Sequence, residues 1–119
     1  MTIHPITIEN GQVVIRTNAN DIWLTQSQIV DLFGVFTVAV NANIRAILNS
    51  GVPREDRVVR RTRCRNGNII ERYSLEMIAA LAFRLKSENA EAFRRWIVEQ
   101  ATTPAIVWKM PTVNDGVLN

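Results

Sequence analysis

The stretch ITIENGQVVIRT, Ile6 to Thr17, alternates apolar and polar positions around a central Asn10-Gly11. Asn-Gly between such runs is a strong two-residue turn signal and predicts a β-hairpin. Pairing across the turn sets Ile8 opposite Val13 and Ile6 opposite Ile15. Thr7, Glu9, Gln12 and Val14 take the other face, as a half-buried hairpin requires. TNAND, Thr17 to Asp21, follows as a polar connection.

From Trp23 the spacing turns helical. Thr25 with Gln28 three residues on forms a capping box, and Leu24 with Ile29 occupies the hydrophobic-staple positions. Ile29, Leu32 and Phe33 make an apolar stripe, and Gly34 ends this first helix in a left-handed conformation. A second helix starts near Thr37 and stops at Gly51, with Val40, Ile44, Ile47 and Leu48 as its buried stripe. VPREDR is a loop led by Pro53.

VVRRTRC and IIERYS flank RNGN and predict a second hairpin from Arg57 to Tyr73. A two-residue turn at Asn66-Gly67 sets Arg61 opposite Arg72. A three-residue loop, Asn66 to Asn68, sets Arg63 opposite Glu71 and Cys64 opposite Ile70. The second register is preferred, because directly opposed like charges destabilise a sheet. It places Arg57, Arg61, Arg63 and Arg65 on one face.

Ser74 then caps LEMIAALAFRLK, a helix apolar nearly all round and therefore the central buried one. Ser87 or Asn89 opens AEAFRRWIVEQAT, with Ala90, Phe93, Ile97 and Ala101 as its core stripe and Trp96 beside it. Arg94 and Arg95 point elsewhere, and Pro104 closes the helix. The expected fold is α+β: a winged-helix-like helix-turn-helix with an N-terminal β-hairpin, a basic second hairpin and two C-terminal helices. One domain over residues 1–103 is expected, with a tail over 104–119 that fits an edge strand, a partner-exchange arm or a disordered end. Trp108 in that tail is a candidate partner contact.

The pair of helices meets part of the helix-turn-helix spacing. Around Gly34 the apolar positions Ile29, Phe33, Val35 and Val40 fit, while Val30 and Asn43 depart from the usual small and apolar residues. The outward face of the second helix is the difficulty. Val38, Ala39, Ala42 and Ala46 project opposite Ile44, where base-reading by hydrogen bonds asks for polar side chains. These four can meet thymine methyls or pack against another surface, including a second copy of the chain. Thr37, Asn41, Asn43 and Arg45 are the candidate base or backbone contacts on this helix.

Charge sharpens the picture. The net charge is only +3, but Gly51 to Arg72 holds seven arginines against Glu55, Asp56 and Glu71, a local +4. The remainder, with seven basic and eight acidic residues, is near neutral. Twelve of the 14 basic residues are Arg, which suits bidentate phosphate contacts. A polyanion, double-stranded DNA, is the natural partner, with Arg57, Arg61, Arg63 and Arg65 as the phosphate contacts. A solvated ribbon of local ion pairs is the alternative.

With a single Cys, Cys64, and a single His, His4, the chain offers no disulfide framework and little for metal or histidine chemistry. No cofactor or metal site is expected. No nucleophile–base pair stands out, so an enzyme is not expected. Neither a signal peptide nor a run of roughly 18 apolar residues appears, which points to a cytoplasmic protein without a membrane span.

WLTQSQIVDLFGV, NIRAIL and RYSLEMIAALAFRLKSENAEAFRRWIVEQ resemble the RhuM-type virulence-protein family. The matching motifs fall on Trp23 to Gln26, Leu32 to Val35, Tyr73 to Leu75, Arg84 to Ser87 and Phe93 to Trp96. The ending AEAFRRWIVEQ is also similar to BRO-N and other phage-antirepressor N-terminal domains. The resemblance covers roughly residues 10 to 103. It implies a DNA-binding domain of a bacterial mobile element or prophage and brings no catalytic residues. Where family members carry Ser, Thr or Arg after the Gly-Val, this chain has Phe36-Thr37-Val38-Ala39. Two functions follow as expectations: a DNA-binding regulator, with a homodimer among its expected forms, or a protein-interaction module using the apolar face of the second helix.

Overall fold

The described residues fold as two small antiparallel sheets among five α-helices, α+β as expected from the pattern of the chain. The computed structural model describes residues 4–103, so the expectations for the tail and Trp108 lie outside the described residues. Strands β1 (Ile6–Glu9) and β2 (Gln12–Ile15) form the first hairpin with Ile6 opposite Ile15 and Ile8 opposite Val13. Asn10 and Gly11 both have positive φ, 53° and 75°, the requirement of a tight turn that follows the strand twist.

A short strand absent from the sequence reading, β3 (Trp23–Thr25), leads directly into α1 (Gln26–Phe33). Three residues carry no readable period of their own. The strand exists because β5 pairs with it. Thr25 still caps α1: its hydroxyl accepts from the Gln28 amide, and the Gln28 side chain accepts from the Thr25 amide. Gly34, at φ 64°, ends the helix. After Val35 and Phe36 the chain enters α2 (Thr37–Ser50). The two helices are bent 114° from one another, within the roughly 90–120° of a helix-turn-helix pair.

The segment VPREDR is not all loop. Its end forms a single turn, α3 (Glu55–Val58), which carries Arg57. The second hairpin therefore begins later than expected, with β4 (Val59–Arg63) paired to β5 (Ile69–Ser74). Neither register considered from the sequence is the one formed. Val59 faces Tyr73, Arg60 faces Arg72, Arg61 faces Glu71 and Arg63 faces Ile69. The loop is Arg65-Asn66-Gly67, closed by a 2.7 Å bond from the Cys64 amide to the Asn68 carbonyl. A three-residue hairpin needs positive φ at its third position, and there sits Gly67, at φ 89°. Either alternative would put Gly67 at the second position. The observed register also stacks Leu24, Tyr73 and Val59 side by side across three strands, all buried.

Helix α4 (Leu75–Ala82) buries Met77, Ile78, Leu81 and Ala82 at the centre. It stops short of the expected RLK. Helix α5 (Glu88–Thr102), capped by Ser87, explains why: Arg94 donates to the carbonyls of Ala82 (2.6 Å) and Leu85 (3.1 Å). Its guanidinium takes carbonyls that a longer helix would have used itself. Of the expected α5 stripe, Ala90 and Phe93 are buried, Ile97 is half-buried and Ala101 is exposed. Phe93 meets Phe33 edge-on at 5.6 Å and Trp96 at 5.3 Å, joining α5 to α1. Among the described residues no single helix is long and apolar enough to cross a membrane.

Candidate nucleic-acid interface

Helix α2 presents two kinds of residue to solvent. Thr37, Asn41 and Arg45 are exposed, and so are Val38 and Ala42. Ala39 and Ala46 are only half-exposed, and Ala39 packs against the core. The face expected to carry four small apolar residues therefore offers two of them fully. Phe36, just before the helix, is 86% exposed and Val38 is 79% exposed. Such solvation of a large apolar side chain at a helix entrance is the feature that sequence inspection missed.

Asn43, half-buried on α2, has both ends of its side-chain amide engaged. Its amide nitrogen donates to the Ala39 carbonyl at 2.8 Å, and its oxygen accepts from Arg84 Nε at 3.0 Å. Arg84 is thereby held beside α2. Phe36, Ala39, Asn43, Arg84 and Lys86 line one shallow cleft. Arg84 and Lys86 were assigned to the body of a helix by the sequence pattern. The early end of α4 delivers them to this surface instead.

The arginines of the second hairpin do not act alike, and they do not share one face. Arg61 and Arg63 lie on the same side of β4, Arg65 is in the loop, and Arg57 precedes the strand on α3. Arg61 is clamped between Glu55 Oε2 at 2.6 Å and Glu71 Oε2 at 2.8 Å. The hydrogen bonds that Arg61 donates, to Glu55 first and Glu71 second, push its pKa above the ordinary value. Arg57 reaches Glu76 on α4 at 3.5 Å, and Arg54 pairs with Asp56 at 3.1 Å. Arg60 lies 4.0 Å over the Trp23 ring, a cation–π contact that offsets its position opposite Arg72.

Arg63 and Arg65 differ. Neither enters a salt bridge among the described residues; Arg63 makes one long hydrogen bond, 3.4 Å, to the Gly67 carbonyl. Both sit at the tip of the hairpin and are exposed. The +4 of this segment is thus partly neutralised at its base and open at its tip.

Tyr73 is buried beneath this network and donates to Glu71 Oε1 at 3.2 Å. Burial, then the negative charge of Glu71, pushes its pKa up to about 12. Cys64 is half-buried and free. Among the described residues no group of three or more His, Cys, Asp or Glu is placed to hold a metal ion. Comparison of the chain with protein-family models, curated proteins and solved structures finds no match.

Proposed function

We propose that this chain is a double-stranded DNA-binding module of winged helix-turn-helix type. In this reading α2 enters the major groove and the β4–β5 hairpin runs along the phosphates. One observation carries it: a helix pair bent by 114° whose second helix has no acidic residue, followed by a hairpin whose tip holds Arg63 and Arg65 outside any salt bridge among the described residues. Thr37, Asn41 and Arg45 contact bases or backbone on α2. Arg63, Arg65, Arg84 and Lys86 take phosphates. Arg57 and Arg61 hold the base of the hairpin in shape. The resemblance to RhuM-type and phage-antirepressor domains supports a cytoplasmic regulator of a mobile element.

Fluorescence anisotropy with a random-sequence duplex over a salt series tests this. Four to six phosphate contacts give a log–log slope of about −4 to −5. Replacing both Arg63 and Arg65 by Ala should reduce that slope by about two, because each phosphate contact contributes about one. Absence of binding at micromolar protein and low salt overturns the proposal and leaves the exposed α2 face as a protein-docking surface.

A further inference from the structure

Resting on the DNA-binding reading above, we infer that the exposed apolar tip of α2 reads thymine methyl groups, so the module selects T-bearing major grooves by hydrocarbon contact. Polar readout on this helix is sparse. Asn43 is engaged at both ends of its amide, which leaves Thr37, Asn41 and Arg45 as the exposed polar groups between Thr37 and Ala46, with Asn49 and Ser50 at the far end of the helix. Phe36 and Val38, by contrast, stand 86% and 79% exposed at the end of the helix that a helix-turn-helix presents to bases. Ala42 is exposed on the next turn. In the major groove the hydrocarbon feature of a base edge is the C5-methyl of thymine, and Phe and Ala side chains pack against it.

The surroundings of the tip select this occupant. Helix α2 carries no Asp or Glu. Arg45 on the helix and Arg84 and Lys86 at the cleft enter no salt bridge among the described residues. An apolar tip rimmed by cations complements a polyanion that displays methyl groups. A second copy docked through the same tip would set those cations against their own counterparts, with no carboxylate on α2 to answer them.

The test uses the full chain. Duplexes enriched on it from a random pool are resynthesised with deoxyuridine in place of thymidine, which removes the methyl and leaves the Watson–Crick edge intact. Affinity should fall about fourfold for each methyl covered. Phe36→Ala should weaken binding to the thymidine duplex and narrow the difference between the two duplexes. Its side chain is solvated, so circular dichroism should show an unchanged fold. Equal affinity of the wild-type chain for both duplexes overturns the inference while leaving the DNA-binding reading intact. Failure to enrich any duplex overturns both. A concentration-dependent mass that Phe36→Ala abolishes, without deoxyuridine sensitivity, also overturns it and assigns the tip to a second copy.

Discussion

The two hairpins of this protein both turn on Asn-Gly, and they use it differently. In β1–β2, Asn10 and Gly11 are the whole turn, and both adopt positive φ. In β4–β5, Asn66 is the middle of a three-residue loop, and only Gly67 needs the left-handed region. The dipeptide is compatible with both. What decides between them is where the flanking side chains must go. The first hairpin brings Ile6 to the core and Ile8, Val13 and Ile15 against it, packing on α5 and α1. The second aligns Val59 and Tyr73 with Leu24, which the short strand β3 brings alongside. Burial of that row outweighs the repulsion of Arg60 and Arg72, itself relieved by Trp23. The outcome differs in charge as well. The arginine beside the first hairpin, Arg16, is paired with Glu9 at 2.6 Å, whereas Arg63 and Arg65 at the tip of the second enter no salt bridge among the described residues.

Removing the row that fixes the second register should have the largest effect. Tyr73→Ala empties a site between Leu24 and Val59 and should lower stability by about 3 kcal/mol, read from a denaturant melt. An unchanged midpoint would mean the register is held by the turn alone.

Titration separates the hairpins next. Tyr73 is the chain's one Tyr, so phenolate absorbance reports it alone, and its midpoint should lie near 12 rather than 10. The folded state favours the neutral phenol. The stability this contributes is present below the unfolded value of about 10 and is lost as pH rises through about 12. Glu71→Gln should move the midpoint back toward 10, since it removes the negative charge beside the phenol. Glu9 on the first hairpin goes the other way. Hydrogen bonds from Thr7 and then Arg16 hold its pKa below 4.5. Its contribution is present above that value and lost as pH falls, and a carboxyl-resolved NMR titration should find the lowered midpoint.

Asn10→Ala forces a Cβ-bearing residue without a local hydrogen-bonding side chain into positive φ and should cost about 1 kcal/mol. Asn66→Ala loses only the exposed 3.0 Å bond to the Asn68 amide and should cost under about 0.5 kcal/mol. Equal costs would erase the distinction between the turns. The smallest effect expected is on DNA binding through the first hairpin: Arg16→Ala should leave the salt slope unchanged, while Arg65→Ala reduces it by about one.

Much of this was legible in local sequence. The first hairpin and its register, the capping box at Thr25 and Gln28, the left-handed Gly34 and the bounds of α2 all follow from residues within a few positions of each other. Such features are set by backbone sterics and neighbouring hydrogen bonds, which the sequence states directly. The candidate interface was legible as a list of residue types and not as a surface. Arg61 was the natural choice for a phosphate contact until α3 brought Glu55 against it. Asn43 was a plausible base reader until Arg84 arrived from a segment 41 positions away.

The sequence by itself therefore determined the first hairpin and its register, the starts and ends of α1 and α2, the N-caps of α4 and α5, and the buried stripe of each of those helices. Tertiary structure alone decided the register of the second hairpin, the early end of α4, the existence of β3 and which cations remain unpaired. These depend on groups that only the folded backbone brings together: Leu24 beside Tyr73, Arg94 beside the Ala82 carbonyl, and Glu55 against Arg61 once α3 has formed between them. Local propensity cannot encode such a pairing, because the interaction that stabilises it exists only once the chain has closed the loop between them.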